Sequence, residues 1–316
     1  MFNADAKRKF IDYYTDKKST KEYCITLFEA TGEYEEKWGA DLCSRSVEEL
    51  ETMAEDIMGL RCWDGNPRSV VLNDYTRWCL DNDVPGANDN FFKINPENTE
   101  KMRRLMVANP VHLEWYLNKI FDPVSEETVD IVYRCYFWLA FFGLPEEDVF
   151  DVTAKSLDLK TASIIVNGRT YPIYREALPA LKKASKLKEF VFKHPNYKSD
   201  IKKKRASGTS LIRGMNETLQ LQSFRVIISR KTKDGLEAAE GAKLTYQRTW
   251  VSGMYYRAFQ KEQIGLEVDF HDLAKRQMEG KDYKVDGKTN TRRAIMLKKA
   301  NNFKSDYGNW KKAFRI

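Results

Sequence analysis

The stretch from Phe137 to Ala184, with the helices that flank it, constrains the fold more than any other part of this chain. Val129–Phe142 reads as an apolar helix. Gly143-Leu144-Pro145 stops it, with Pro placed where the next helix would begin. Glu146, Glu147 and Asp148 then fall in the first turn of a short acidic helix, where the helix dipole favours negative charge. Two β-prone runs follow, Ala162–Val166 and Thr170–Tyr174, with Asn167-Gly168 between them. Asn-Gly is the strongest short hairpin signal, because both residues of the tight turn need positive φ. Arg175–Lys188 returns to helical spacing.

Upstream the pattern is helical throughout. Phe2, Phe10 and Tyr13 mark one amphipathic helix ending near Tyr14. Ser19 or Thr20 can cap a second, with Tyr23, Leu27, Phe28 and Tyr34 at helical spacing. Ser46 and Glu49 form a capping box for a third, which turns Leu50, Met53 and Ile57 inward. After a turn at Arg61–Ser69, Val71, Tyr75 and Trp78 line a fourth, and Thr99–Val107 a fifth. Helices without a strand signal make this half a bundle. Asn109-Pro110 and Asp122-Pro123 break the chain, so the spacing predicts domains at residues 1–122 and 123–316.

Downstream the charge pattern changes. Lys182, Lys183, Lys186 and Lys188 line a helix. Lys198–Arg205 is dense in positive charge and runs into Ser207-Gly208-Thr209-Ser210, small residues that let phosphates approach backbone N–H groups. It reads as a loop. Asn216–Lys231, Leu244–Gln263, Phe270–Met278 and Thr291–Phe314 complete the helices, with an acidic loop at Asp234–Ala242 and a polar connector at Lys281–Thr291.

The order of elements in the central stretch resembles the opening of the catalytic domain of tyrosine recombinases, the phage integrases. The motifs that carry the likeness are Phe142-Gly143-Leu144-Pro145, Leu157-Asp158-Leu159, Arg169-Thr170-Tyr171-Pro172-Ile173 and Ala177-Leu178-Pro179-Ala180-Leu181. Thr20 with Tyr23, and Tyr75 with Trp78, resemble the family's N-terminal core-binding domain. The resemblance implies a mainly α fold: a helical core-binding domain, then a helical catalytic-like domain with a small β-hairpin sheet. It also implies a catalytic set, and here the chain departs from the family. Pro145 stands where the first arginine falls, Thr245 where a histidine falls, and Lys298 where a histidine or tryptophan falls. Arg248 keeps the second arginine and Tyr307 the nucleophile position. Recombinase chemistry needs fixed donors around a phosphate, and loss of one such donor costs about a hundred- to thousandfold in rate.

Met1-Phe2-Asn3, Leu211-Ile212-Arg213-Gly214 and Asp306–Phe314 further resemble the MrpR-type repressors of the phage lytic cycle. That likeness implies a sequence-specific DNA-binding repressor that maintains lysogeny, binds operator duplexes (with oligomers on DNA allowed) and needs no cofactor or metal. The alternatives are an active recombinase cutting through Tyr307 and an accessory protein that bends DNA. The candidate DNA contacts are Asn66, Arg68, Lys202, Lys203, Lys204, Arg205, Arg213 and Arg248.

Composition agrees with this reading without deciding it. The chain has 316 residues, 42% hydrophobic and 31% charged, with a formal net charge of +7. That is globular, and basic enough to permit a nucleic-acid partner. No apolar run spans a bilayer and no signal-peptide core opens the sequence; the resemblance implies a bacterial cytoplasmic, nucleoid-associated protein. The five cysteines are odd in number and widely spaced, which fits buried free thiols better than disulfides or zinc.

Overall fold

The structure is a computed structural model, and it describes residues 1–58, 66–97, 99–121, 129–192, 201–205, 207–214, 221–222, 225–226, 228–229, 244–278 and 290–316. Among the described residues the protein is mainly helical, with two small antiparallel sheets. It divides into two compact units: residues 1–102 with 270–316, and residues 103–269.

The first unit begins with helices α1 (Ala4–Tyr14), α2 (Lys18–Trp38), α3 (Val47–Ile57) and α4 (Pro67–Asp81). Local chemistry sets several of their ends. Ser46 accepts from the Glu49 N–H while Glu49 reaches back to the Ser46 N–H, which completes the capping box. Helix α2 departs from expectation, because it starts at Lys18 and its N-cap, Lys17, offers no side-chain hydrogen bond. Ser19 and Thr20 therefore lie inside the first turn. The core is built from Phe10, Phe28, Leu50, Met53, Leu72 and Tyr75, all without exposed surface. Tyr75 donates its hydroxyl to Asp41 at 2.7 Å and stacks on Trp78 at 6.4 Å between ring centres, so this pair serves packing. Lys7 and Glu35 form an ion pair with no exposed side-chain surface.

The same unit contains α5 (Thr99–Leu105), up to Met102, together with α10 (Phe270–Met278) and α11 (Asn290–Phe314). Helix α5 ends two residues before the expected Val107. Trp310, Tyr307, Phe303 and Ala300 are buried on α11.

The second unit is organised around α7 (Val129–Phe142), from Val132 to Phe142 buried at every position. Such a helix is stable only if other elements cover it all round. Helix α6 (Pro110–Ile120), α8 (Leu178–Lys186) and α9 (Tyr246–Gln263) belong to that core. Leu113, Leu117 and Phe121 contribute to it, so α6 goes with the second unit rather than with the N-terminal helices, and the units part at 102/103 where the sequence suggests 122/123. Helix α9 approaches closely through Gly253: a methyl group added there would lie 1.9 Å from the Phe141 carbonyl oxygen.

The first sheet has the order β1 (Leu157–Asp158), β2 (Ser163–Val166), β3 (Arg169–Pro172), with Val166 opposite Arg169. Asn167 and Gly168 have φ of 50° and 72°, as a tight hairpin requires. The acidic segment Glu146–Asp151 is a 3-10 helix rather than an α-helix. The second sheet pairs β4 (Glu189–Phe192) with β5 (Ile201–Lys204). This corrects the loop expected over Lys202–Lys204. Of the expected helix Asn216–Lys231, only 221–222, 225–226 and 228–229 are described, and they are helical. Residues 61–65, the acidic loop 234–242 and the connector 281–289 lie outside the described residues. Cys24, Cys43, Cys79 and Cys135 are buried free thiols, whereas Cys62 is not among the described residues.

Candidate nucleic-acid interface

Three of the positions assigned by the recombinase resemblance, Pro145, Thr245 and Arg248, lie in the second unit. The Tyr246 hydroxyl donates to the Leu144 carbonyl at 2.8 Å, which ties the start of α9 to the residue before Pro145. The Tyr246 ring lies 4.6 Å from that of Tyr136, and Tyr136 donates to Glu146. Burial and the nearby carboxylates push both phenols well above their usual range. Thr245 is the N-cap of α9: its side chain accepts from the Arg248 N–H at 3.3 Å. The residue in the histidine position thus has a structural task, satisfying a helix N–H that would otherwise lack a partner. The Arg248 carbonyl accepts from the Ser252 hydroxyl at 2.8 Å, and that hydroxyl accepts from the Val107 N–H at 3.0 Å. The backbone of Arg248 is therefore fixed on both sides. Its side chain is half-buried, and burial lowers its pKa.

One pair was not foreseen from the sequence. Arg225 holds the Glu146 carboxylate through two nitrogens, with Nε at 2.7 Å from Oε1. A fork of this kind is how a guanidinium also grips a phosphate. The carboxylate comes from the residue next to Pro145, where the family places an arginine.

The remaining two positions lie on α11 of the first unit. Lys298 is exposed. Tyr307 is 2% exposed and sits among aromatic rings, 5.7 Å from Phe270 and 5.9 Å from Trp310, with the Lys311 ammonium 4.8 Å above its ring.

The structure also redistributes the expected DNA contacts. Asn66 is buried; its amide nitrogen donates to the Met58 carbonyl at 2.9 Å, and its oxygen accepts from the Arg68 N–H at 3.1 Å. It caps α4, with Pro67 at the first helical position, so its side chain is committed within the fold. Arg68 is exposed. Lys202, Lys203 and Lys204 are exposed on β5. Strand alternation puts Lys202 and Lys204 on one face and Lys203 on the other, opposite buried Phe190. Arg205 does not reach outward. It is 8% exposed, and its guanidinium donates to the carbonyls of Ala184, Leu187 and Leu211. It anchors the end of β5 to the end of α8, where its own N–H donates to the Lys188 carbonyl at 3.2 Å. The exposed lysines of β5 thereby adjoin Lys186 and Lys188, which are also exposed.

A duplex contact by this lysine surface has a measurable signature. Replacing Lys202 and Lys204 together with Ala is expected to weaken specific and non-specific duplexes alike. It should reduce the log–log salt slope of binding by about one to two units. An unchanged slope, measured by fluorescence anisotropy over a salt series, would show that these lysines are only solvated.

The comparisons with known proteins bear mainly on the first unit. Residues 1–81 match the family model described as MrpR, N-terminal core-binding domain. That match covers α1 to α4, the helices built around Phe10, Phe28 and Tyr75. No curated protein matches the chain. Among solved structures, the Tn1549 transposon integrase in complex with a circular intermediate DNA is 14% identical; the alignment covers 93% of this chain and 98% of that one, at a TM-score of 0.35. The integrase from mycobacterium phage Brujita is 13% identical over 96% and 91%, at 0.31. A lambda integrase dimer bound to a COC′ core site is 12% identical over 89% and 99%, also at 0.31. Among the described residues, no helix is long and apolar enough to cross a membrane.

Proposed function

We propose that this chain is a sequence-specific DNA-binding repressor of phage lytic genes, acting in the bacterial cytoplasm on operator duplexes, and that it does not cut DNA. The observation that carries this reading is the burial of Tyr307, whose ring is enclosed by Phe270 and Trp310. A nucleophile must present its oxygen to a phosphate, and the phosphate must be clamped. Pro145 offers no donor and Thr245 is occupied in capping α9. The core-binding match over residues 1–81 supports DNA as the partner. Arg248 remains able to grip a phosphate whether or not a bond is broken.

The second reading is an active recombinase. It is favoured by the way Thr245 and Ser252 fix the backbone of Arg248, as a catalytic arginine would require. A nicked suicide duplex separates the two. The repressor gives no covalent protein–DNA band; a band that disappears in Tyr307→Phe would overturn the proposal. In the same assays Arg248→Ala is expected to lose operator binding. Tyr307→Phe is expected to keep it, because the change removes at most one neutral hydrogen bond, worth about 1 kcal/mol.

A further inference from the structure

Arg205 and Arg213 place two positive charges near each other where water is partly excluded. Arg205 is nine-tenths buried and its two terminal nitrogens are taken by carbonyls, but its Nε–H is buried without a partner. Arg213 is half-buried, and its Nε–H is likewise buried and unpartnered. Burial first, and then the nearby Arg213 guanidinium, bring the pKa of Arg205 down to about 10. Two neighbouring cations in a partly desolvated place favour an anion between or above them, which offsets both their mutual repulsion and their lost hydration.

The backbone around them is shaped to admit one. Leu211 donates its N–H to the Val152 carbonyl at 2.7 Å, and Ser210 bridges to Thr153, so the segment that carries Arg213 is pinned. Gly208 has φ of +116°, a conformation that side chains avoid, and a Cβ there would lie 4.0 Å from Arg213 Cδ. The stem of Arg213 thus runs alongside bare backbone, and Ser207, Gly208 and Thr209 are exposed beside it. Small exposed residues next to a guanidinium form a surface that a tetrahedral oxyanion can approach closely.

We propose that Arg213, with the Gly208 loop beside it and the fixed charge of Arg205 behind it, is a binding site for a single phosphate group. Arg213 contacts the oxyanion; Arg205 is a positioning residue that supplies field and holds the loop. The site deepens the DNA-binding reading, on which only the source of its phosphate rests, because the same chemistry fits a backbone phosphate of a duplex or a free phosphorylated ligand.

The test needs no DNA at its first step. The full chain is melted in millimolar inorganic phosphate and in chloride of equal ionic strength. A saturable rise in Tm with phosphate alone is expected. Arg213→Gln should melt at the wild-type temperature without phosphate and bind phosphate at least about tenfold more weakly, as loss of a charge-assisted hydrogen bond implies. Gly208→Val, which places a side chain against Arg213, should weaken phosphate in the same way. Equal melting in phosphate and chloride, or an Arg213→Gln protein that keeps its full phosphate response, would overturn the site. Duplex binding then identifies the source. If phosphate displaces duplex beyond its ionic-strength effect in wild type and not in Arg213→Gln, the phosphate belongs to DNA. If phosphate binds and duplex affinity is untouched, the site serves a free phosphorylated ligand. Neither arm depends on strand cleavage, so failure of the site and failure of the repressor reading remain separate results.

Discussion

Gly253→Ala is expected to destabilise the second unit by about 3 kcal/mol, the upper end of the usual range for overpacking a core. The added carbon would stand 1.9 Å from the Phe141 carbonyl oxygen and 2.7 Å from its carbonyl carbon. Both are backbone atoms of α7, so no rotamer change relieves the clash. Helix α9 would have to move away from α7, and the packing of Met254, Tyr255 and Ala258, all buried, would loosen with it. Gly308→Ala is the control. Gly308 is also helical, but an added Cβ meets nothing within 4 Å. There the gain in helix propensity should stabilise by about 0.5–1 kcal/mol. Urea unfolding of both variants gives the contrast; a harmless Gly253→Ala would show that the α7–α9 approach is looser than described.

Breaking the Lys7–Glu35 pair is expected to cost about 3–5 kcal/mol, because either single replacement leaves a buried charge without its partner. The pair is embedded on every side. Glu35 also accepts from Thr31 Oγ1 at 3.1 Å and from the Leu42 N–H at 2.9 Å, and the Lys7 ammonium lies 5.3 Å from the Phe28 ring centre. Burial pushes the Glu35 carboxyl up even with Lys7 pulling it down, so desolvation outweighs the attraction. For that reason the double replacement Lys7→Met with Glu35→Gln should recover most of the loss. Glu35→Gln alone, with Lys7 still charged, should be among the least stable of the set. A double-mutant cycle by denaturant unfolding measures this directly. Additive costs would mean that the two groups do not act as a pair.

What the sequence disclosed and what it hid follow from the range of the forces involved. The hairpin at Asn167-Gly168, the box at Ser46 and Glu49 and the stop at Gly143, whose φ is 97°, were legible because each is set by a few consecutive residues. Asn66 carried a legible signal too: Asn immediately before Pro is an N-cap pattern, and the structure uses it so. Strand β5 was hidden. Three lysines in a row have little β propensity, and what makes them a strand is Glu189–Phe192 across an intervening segment. Arg205 was hidden for the same reason, since the carbonyls that bury it come from residues 184, 187 and 211. The Glu146–Arg225 fork joins residues 79 apart, and neither side chain announces the other. At the candidate site the identity of each residue could be read, but its engagement could not.

The placement of α11 bears on how the protein is made. The core around Phe10, Phe28 and Tyr75 comes from contiguous sequence and can close early on the ribosome. The helix that carries Trp310 belongs to the same unit, yet emerges only after all of residues 103–269 have been synthesised. At roughly 5–20 residues per second, that interval is on the order of ten to thirty seconds. The first unit is therefore assembled at two separate moments, and a transcript truncated before codon 270 would yield its early part without its late one.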